Sequence, residues 1–467
     1  RLHPHFTNPH NHLTYPVQTR SRHSPREPIM DRKLLYKIVA IVTMSILLLI
    51  PLALIEGQIR ERSQRQHEVQ QNIAESSAGA QTLIGPIVVL RYRERLRETR
   101  VAPETGKITE STRVVEHRRL VAPESLSIEG DVKVETRQRG IYQARLFHLD
   151  SQVAGRFRFN APPPSGDAEL LDLQATLVVG LSDPRGVASD PEVTINGQRH
   201  RFASGKVDPE IMPLQPLTVA LGRIEAGKPY DFSLAFPLHL TGTTRLAIAP
   251  VGESNRIALK SAWPHPNFGG RFLPRERSVG ADGFNARWEV SHLARNFDNA
   301  LNPNSGEALA IDFINPVNVY LQSERAVKYG VLFIVLTFAG FFLTEILRRA
   351  PIHPLQYLLV GLALAIFFLL LIAFSEHMPF ATAYGLSAVA CIVLIGWYLT
   401  GALGGWRQGA AFGAGLSGLY GVLFGVLRSE DNALLMGSLL LFAALGATML
   451  ATRRFNWYQE DDGGENS

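Results

Sequence analysis

Two apolar runs in the last third of the chain restrict its possible folds more than any other feature. They cover residues 329–347 and 355–374 and flank a short polar hairpin, Arg348-Arg349-Ala350-Pro351-Ile352-His353-Pro354. Each run has about 20 residues, or roughly 30 Å as an α-helix, which matches the hydrocarbon thickness of a bilayer. Neither run has the polar face that a surface helix of a soluble protein carries. We therefore predict a pair of transmembrane helices.

Four further apolar runs extend this pattern, at residues 34–55, 381–400, 409–427 and 433–451. Residues 30–55 are interpreted as an uncleaved signal-anchor helix, because the nearest small-x-small site, Ala78-Gly79-Ala80, lies far beyond the apolar run. The predicted fold class is a multi-pass α-helical membrane protein with six transmembrane helices. Its large polar segment lies between the first and second of these helices.

That polar segment carries the signals of a β-rich domain. Short runs of β-branched and aliphatic residues are separated by Gly/Pro/Asp clusters, as is typical of strands and turns. Asn196-Gly197 predicts a type I′ hairpin turn between two such runs. The strand-like runs begin at Pro86, Ser127, Ala175, Glu192 and Leu246. The pattern favours a sandwich-like or open β-sheet.

The predicted domain organisation follows these changes in composition. A Pro- and His-rich extension, 1–29, precedes Met30 and is expected to be disordered and to lie upstream of the natural start. The signal anchor is followed by a helical stalk at 56–84, where Glu56/Arg60 and Glu61/Arg65 are spaced i,i+4. The remaining predicted segments are the β-rich domain at 85–325, a five-helix bundle at 326–452 and a tail at 453–467.

The positions of the basic residues predict the orientation. Residues 56–325 contain 33 Lys+Arg and 32 Asp+Glu, so the chain's net charge of +5 does not describe a nucleic-acid-binding surface. Instead, arginines recur at one set of membrane borders: Arg348/Arg349, Arg407 and Arg453/Arg454 fall on the same side as Arg32/Lys33. The positive-inside rule places both termini in the cytoplasm and residues 56–325 outside it.

Few features suggest chemistry. The single cysteine, Cys391, lies in an apolar run, so the polar segment offers no disulfide, Cys-based zinc site or Cys nucleophile. No G-x-S-x-G, H-E-x-x-H or P-loop sequence occurs. The G-x-G-x-x-G spacing at residues 413–418 falls inside a predicted transmembrane helix, where no dinucleotide could reach it. We expect no catalytic residue, no metal and no cofactor.

The carboxylates in or beside the apolar runs are the first candidate functional residues. Glu345 lies one turn inside the second predicted span, and charges there are functional candidates by default. The alternative is an interfacial ion pair with Arg348 and Arg349. Glu376, Glu430 and Asp431 mark the opposite loops, either as solvated charges or as part of a proton or ion path.

Trp263 and His265 form the densest local feature outside the predicted membrane segments, in the sequence Trp263-Pro-His-Pro-Asn-Phe. Proline on both sides of His265 favours an extended segment and removes two backbone donors. The segment is interpreted as a buried aromatic corner of the β-rich domain, with a partner-docking surface as the alternative.

Small residues recur at every fourth position of the fifth predicted span. Such a pattern allows a neighbouring helix backbone to approach closely along one face. It therefore predicts helix packing, with Leu423 expected away from that face. The residues are Gly409, Gly413, Ser417, Gly421 and Gly425.

Arginines alternate at positions 91, 93, 95 and 97, so on a strand they would share one face. Pairing with acids on neighbouring strands is the favoured interpretation, and contact with anionic lipid headgroups is the alternative.

Several longer stretches resemble the inner-membrane protein CreD family. They include Ser261-Ala-Trp-Pro-His-Pro-Asn-Phe-Gly-Gly-Arg-Phe-Leu-Pro, Glu324-Arg-Ala-Val-Lys-Tyr-Gly-Val-Leu-Phe-Ile and Ser429-Glu-Asp-Asn-Ala-Leu-Leu-Met-Gly-Ser, and the likeness covers about residues 30–458. The resemblance implies a Gram-negative inner membrane, a periplasmic domain, a role in cell envelope integrity and expression tied to a two-component system. It carries over no catalytic residue.

Three functions follow as hypotheses. The favoured one is a non-enzymatic inner-membrane protein that supports envelope integrity through interactions of its periplasmic domain. Its expected partners are membrane lipids and other envelope proteins, and not nucleic acid. The second hypothesis is a transporter or ion/proton-coupled protein that uses Glu345 and the loop carboxylates. A membrane enzyme is the third, and it lacks a nucleophile or metal set.

Overall fold

The computed structural model describes residues 32–101, 108–205, 207–208, 211–313, 318–348, 352–402, 404–428 and 433–453. The predicted extension 1–29 and most of the predicted tail lie outside these residues. The chain divides into two compact units, which are described separately below. One comprises residues 55–327 and 369–387, and the other comprises residues up to 54, 328–368 and from 388 onwards.

The helices are given in chain order. They run Arg32–Leu47 (α1), Leu49–Ser76 (α2), Phe297–Ala300 (α3), Val319–Lys328 (α4), Gly330–Arg348 (α5), Pro354–Ser375 (α6), Phe380–Ala402 (α7), Trp406–Arg428 (α8) and Ala433–Thr452 (α9).

The strands make up most of the unit that contains residues 55–327. They are Gln81–Val101 (β1), Ile108–Val121 (β2), Ser125–Arg139 (β3), Tyr142–Asn160 (β4), Glu169–Leu181 (β5), Glu192–Ile195 (β6), Gln198–Arg201 (β7), Ala203–Ser204 (β8), Gln215–Arg223 (β9), Pro229–Thr243 (β10), Arg245–Ala249 (β11), Ser254–Ser261 (β12), Pro266–Gly270 (β13), Glu276–Gly280 (β14), Gly283–Ser291 (β15) and Leu309–Phe313 (β16).

These strands form two sheets. The first has the order β13-β16-β11-β1-β5-β9-β8, with β2 paired to β1 as well. The second has the order β14-β15-β12-β3-β4-β10-β6-β7. The long β1 pairs in parallel with β11 at its start and antiparallel with β2 further along. The prediction of a large β-rich domain is confirmed.

One hydrophobic core lies between the two sheets. Strand β15 shows why, since Phe284, Ala286, Trp288 and Val290 are buried while the residues between them are exposed. Such alternation gives a strand one apolar face to pack against the core. Rings from opposite sheets meet there, as where Phe147 of β4 lies 5.2 Å from Phe313 of β16, centroid to centroid.

The predicted hairpin turn is confirmed. Ile195 pairs with Gln198 across the β6–β7 turn, so Asn196 and Gly197 alone form the loop. Their φ angles are 47° and 86°, the positive values that a type I′ turn requires at both central positions.

The stalk is shorter than the sequence predicts. Helix α2 ends at Ser76, and β1 already begins at Gln81, ahead of the predicted domain start at residue 85. The first residues of β1 are held in a strand by β11, as in the pair Gln81↔Leu246. Because that partner lies far away in sequence, no local signal marks this part of the strand.

Helices α1 and α2 are almost continuous and meet at Leu48. Pro51 has no N–H and so cannot donate to the carbonyl of Leu47, which accounts for the local break there. Together they form one long helix, Leu35–Ser76, which is apolar in its first part and polar in its second.

Four helices among the described residues are long and apolar enough to cross a bilayer, namely this first one and α6, α7 and α8. Helices α4 and α5 pass the same test as a pair bent by 42°, which would make five. The sixth predicted span coincides with α9, whose apolar described part, Leu435–Leu450, is shorter.

Candidate functional site

Glu345 of α5 lies at the centre of a buried polar cluster. The cluster belongs to the unit made of residues up to 54, 328–368 and from 388 onwards, called the helical unit below. Its carboxylate forms an ion pair with the ammonium of Lys37 on α1, and the two side chains are only 11% and 22% exposed. The hydroxyl of Tyr357 on α6 donates to Glu345 Oε2 at 3.1 Å, and the backbone N–H of Ile352 donates to Oε1 at 3.1 Å. The carboxylate therefore connects α1, α5 and α6.

Lys37 and Tyr357 are not among the site residues that the sequence predicts. The alternative for Glu345, a pair with Arg348 and Arg349, involves side chains outside the described ones. The position of Lys37 inside an apolar run is an available signal, because an isolated charge there needs a partner of opposite sign.

Glu376 forms a second polar cluster, just after the end of α6, in the unit that contains the sheets. Its carboxylate is 9% exposed and lies 3.6 Å from Nε of Arg62 on α2. The hydroxyl of Tyr320 on α4 donates to Glu376 Oε1 at 3.3 Å. The ring of Tyr142, at the start of β4, lies 6.3 Å from that of Tyr320. This cluster joins the α6–α7 loop to α2, α4 and the second sheet.

The face of α2 that carries Arg62 continues this contact towards the end of the helix. Gln70, two turns further on, donates through Nε2 to the carbonyl of Gln143 at 3.2 Å. Ile73 then packs with Ala144 and Leu146 of β4. Arg62, Gln70 and Ile73 are spaced i, i+8 and i+11, which is about two and three helical turns, so one side of α2 lies along the start of β4.

The other two loop carboxylates, Glu430 and Asp431, lie outside the described residues. Of the predicted loop acids, Glu376 is the one that the structure describes.

Trp263 and His265 lie at a folded corner of the β-rich domain. The indole N–H of Trp263 donates to the carbonyl of His265 at 3.0 Å, and the guanidinium of Arg145 lies 5.0 Å from the indole ring. Trp263 is half-buried against the core, whereas His265 is exposed. The contacts of Trp263 and His265 with described residues include no nucleophile and no carboxylate that could act together with His265.

The small residues of α8 do not share one neighbour. A Cβ at Gly409 would lie 2.7 Å from the carbonyl of Gly396 on α7, and one at Gly425 would lie 3.1 Å from Met436 on α9. Gly413 has Ile392 nearby at 3.8 Å, and the hydroxyl of Ser417 donates to the carbonyl of Gly413.

The packing prediction is wrong at Gly421, because no atom lies within 4 Å of a Cβ built there. Leu423 lies about 200° around the helix from Gly421, off the small-residue face as predicted, and is only 4% exposed, so the buried side of α8 at this level is the opposite one. The reason is helical geometry, since a step of four residues advances about 40° beyond a full turn. Over four such steps the small residues rotate by about 160°. They therefore face α7 at one end of α8 and α9 at the other.

Arg91, Arg93 and Arg95 of the arginine row on β1 pair with acids on the two neighbouring strands. Arg91 lies 3.3 Å from Glu116 of β2, and Arg95 lies 2.7 Å from Glu169 of β5. This arrangement matches the favoured interpretation of the row.

The outer face of the second sheet carries a groove that the sequence did not reveal. Its volume is about 870 Å³. Lys260, Asp131, Asp150 and His239 follow one another across β12, β3, β4 and β10. Nζ of Lys260 lies 3.7 Å from Asp131, and Nδ1 of His239 lies 2.8 Å from Asp150. The hydrogen bond from His239 lowers the pKa of Asp150.

A second row lies beside the first and includes Arg287, Glu129 and Gln152. The groove thus presents acids at its centre and bases towards β12 and β15. Sequence reasoning missed it because the two rows combine residues from strands far apart in the chain. Within the described part of the chain, no three His, Cys, Asp or Glu side chains are grouped so that they could hold a metal ion.

Several apolar helices of bilayer length, joined to a large β-rich domain, define a membrane protein with a folded domain outside the lipid. Sequence comparison identifies the family to which this membrane protein belongs. The family described as inner membrane protein CreD matches residues 33–458. The inner membrane protein CreD of Escherichia coli (strain K12) is 33% identical over 436 residues, covering 92% of this chain and 95% of that protein. The chain belongs to the CreD family of inner membrane proteins.

Similarity to solved structures is slight. An M1 zinc metallopeptidase from Deinococcus radiodurans aligns with a TM-score of 0.23 and 10% identity, covering 41% of this chain and 42% of that one. A point mutant of the same metallopeptidase aligns with a TM-score of 0.22 and 11% identity over the same shares. Structural similarity this weak supports no conclusion about the fold or the activity of this chain.

Proposed function

We propose that this protein is a non-enzymatic binding protein of the inner membrane that supports cell envelope integrity. In this proposal six helices cross the membrane, both termini are cytoplasmic, and residues 56–325 lie in the periplasm, where the β-rich domain at 85–325 binds other envelope proteins. The observation that carries the proposal is the mixed-charge groove on the second sheet, with a volume of about 870 Å³.

The chemistry of the groove suits a protein segment that carries both signs of charge. Asp131 and Asp150 lie opposite each other and would attract a cationic side chain, while Lys260 and Arg287 would attract a carboxylate. Complementary charge on both partners fixes the orientation of such a segment and excludes wrong partners.

The six-span arrangement is supported by the bounds of the helices. Helix α9 runs for 20 residues, or about 30 Å, which is enough to cross the hydrocarbon core. With α9 and the α4–α5 pair, the spans number six. The sorting of arginines to alternate loops then gives the orientation.

Of the carboxylates that the transporter hypothesis uses, the two that the structure describes, Glu345 and Glu376, are both engaged in structural contacts. Glu345 connects three helices, and Glu376 connects the α6–α7 loop to the β-rich domain. A binding protein uses such contacts to hold its own elements together, and the groove on the second sheet remains accessible to a partner.

Photo-crosslinking in living cells tests the proposal. A photoreactive amino acid at Gln152, in the groove, should form adducts with envelope proteins. The same substitution at Gln138 is the matched control, because it replaces an exposed glutamine on a neighbouring strand outside the groove. Asn285, a second residue that lines the groove, is labelled in the same way. Adducts that are absent at both Gln152 and Asn285, or equally abundant at Gln138, would refute the proposal.

Transport remains the second candidate because one observation favours it. The Lys37–Glu345 pair is a nearly buried pair of charges inside apolar helices, and intramembrane ionisable groups often carry protons or ions. Replacing Glu345 by Gln distinguishes the two functions. A transporter would lose its ability to restore envelope integrity to a deletion strain while the purified variant stayed as stable as the parent. A binding protein would lose stability first.

A further inference from the structure

A cleft of about 660 Å³ lies between α5, α8 and α9 in the helical unit. Its walls are made largely of small residues, so three helices that pass close to one another still leave a channel. These residues include Ala339, Gly340, Ala411, Gly415, Ala443 and Ala447. A Cβ built at Gly415 would meet no atom within 4 Å, which means that the space beside it is open.

The middle of the cleft is apolar in its chemistry. The hydroxyl of Thr337, in the middle of α5, donates to the carbonyl of Phe333 at 2.8 Å. This threonine thus satisfies its donor within its own helix. The occupant that fits such walls is a hydrocarbon.

One end of the cleft is polar, and an arginine lies next to it in the chain. Thr344, Gln408 and Thr448 line it where α8 begins and where α5 and α9 approach their ends. Arg407 precedes Gln408, and its guanidinium lies 5.8 Å from the ring of Trp406, which is 71% exposed. An exposed tryptophan beside an arginine is typical of the level of the lipid headgroups.

The size of the cleft decides between a lipid chain and a helix of a second copy. A helix about 10 Å wide that covered 15 residues, or about 22 Å, would occupy roughly 1,700 Å³. The cleft holds less than half of that volume. A single extended hydrocarbon chain is narrower and fits.

We propose that this cleft binds one anionic phospholipid, with an acyl chain between α5, α8 and α9 and the phosphate beside Arg407. Arg407 supplies the charge complementarity, because basic residues at helix ends attract anionic headgroups. The cleft is thereby a defined lipid site on the side of the bundle where α8 begins.

Lipid photolabelling tests the acyl-chain part. The full-length protein is placed in phosphatidylcholine nanodiscs that contain a small fraction of phosphatidylglycerol with a diazirine on its acyl chain, and the labelled peptides are mapped. Replacing Gly415 by Leu should fill the cleft and reduce labelling of α8 and α9 roughly tenfold, equivalent to about 1.4 kcal/mol. Gly418→Leu is the matched control, since Gly418 also faces open space on α8 but does not line the cleft.

The headgroup part needs a second probe, a diazirine-labelled phosphatidylcholine. The parent protein should be labelled more strongly by phosphatidylglycerol, and Arg407→Gln should remove that preference while keeping the label in the cleft. Equal labelling of the parent by both lipids would overturn the anionic assignment. Unchanged labelling in Gly415→Leu would overturn the lipid site as a whole, as would crosslinks from α9 to a second copy with no lipid label. Ala444→Val, a smaller change in the cleft wall, should reduce labelling partly, and it decides the question if Gly415→Leu does not fold.

Discussion

Lys37 and Glu345 carry opposite charges in a place where neither would be stable alone. Their side chains are 22% and 11% exposed, in helices composed mostly of apolar residues. Removing one partner of such a pair leaves an uncompensated charge, and this is more destabilising than removing both. The pair therefore constrains how α1 and α5 can pack.

A double-mutant cycle should reveal this coupling. We expect Glu345→Gln to lower the stability of the protein by about 3–5 kcal/mol, and Glu345→Gln combined with Lys37→Gln to be less destabilising than the sum of the single changes. The measurement is the fraction of monodisperse protein left after heating in mild detergent.

The matched control is Glu56→Gln, which breaks the exposed i,i+4 pair with Arg60 on α2. Such a surface pair contributes only about 0.3–0.5 kcal/mol, so this variant should behave like the parent. If Glu345→Gln is as stable as Glu56→Gln, the buried pair does not hold the helices together.

Asp183 joins the end of the stalk helix to the β-rich domain. Its carboxylate accepts from Nε of Arg185 at 2.9 Å and from the backbone N–H of Gly79 at 3.0 Å. Arg185 also donates to the carbonyl of Glu75, near the end of α2. The hydrogen bonds from Arg185, and then that from Gly79, lower the pKa of Asp183 to about 2.

This lowered pKa predicts an acid-dependent loss of stability. A carboxylate with a depressed folded-state pKa stabilises the fold above its unfolded value of 3.8, and this contribution is lost as pH falls towards 2. We expect Asp183→Asn to cost about 1–2 kcal/mol at pH 6, with the difference from the parent shrinking between about pH 4 and pH 2.

Thermal melts followed by near-UV circular dichroism across this range provide the measurement. Asp282→Asn is a suitable control, because Asp282 lies in an exposed turn between β14 and β15. A constant difference between Asp183→Asn and the parent at every pH would show that Asp183 does not act through its charge.

At the scale of residues, the sequence identifies Glu345 and Glu376 but not their partners. A carboxylate in or beside an apolar run is conspicuous in the sequence alone. Arg62, Tyr320 and Tyr357 look ordinary there, since each lies in a different segment of the chain. Only the tertiary fold brings them to the carboxylates.

At the scale of elements, α8 shows that a periodic sequence pattern does not always correspond to one packing face. Small residues at i+4 predict one continuous packing face, but the stripe rotates around the helix and meets α7 and α9 in turn. Gly409 is the position of closest approach, with the Cβ of any larger residue 2.5 Å from Cγ2 of Thr400.

Replacing Gly409 by Leu should therefore force α7 and α8 apart, at an overpacking cost of about 1–3 kcal/mol or more. Gly421→Leu is the control on the same helix and should leave stability unchanged, because its Cβ would enter open space. Survival of mild detergent heating is the readout. Equal stability of the two variants would mean that the approach at Gly409 does not hold the helices together.

The strands illustrate the same limit. Asn196-Gly197 is predictable because a two-residue turn is encoded by its own residues. The order of the sheets is not, since β1 pairs in parallel with β11 and β3 with β12. Parallel partners are separated by long connections, and nothing in either strand's own sequence identifies the other.

At the scale of the whole molecule, the chain combines apolar helices, which are compatible with lipid, with one domain that has a polar surface. Residues 56–325 hold 65 charged side chains, whereas residues 329–451 hold eight. A domain with that many charges cannot lie in hydrocarbon. The side of the membrane on which it lies is set by the basic residues of the loops that flank the spans.

Reporter fusions test this orientation and the number of spans together. A reporter that is active only in the cytoplasm should be active after Tyr458 and in the α7–α8 loop after Gly404. The reason is that Arg407 and Arg453 mark the side of the membrane that the positive-inside rule places in the cytoplasm. It should be silent at Gly166, an exposed turn of the β-rich domain, and in the α6–α7 loop after His377. A periplasm-specific reporter at the same four positions should give the opposite pattern. Activity after Gly404 with silence after Tyr458 would mean that α8 and α9 do not both cross the membrane, and the six-span arrangement would then be wrong even if the β-rich domain lies in the periplasm.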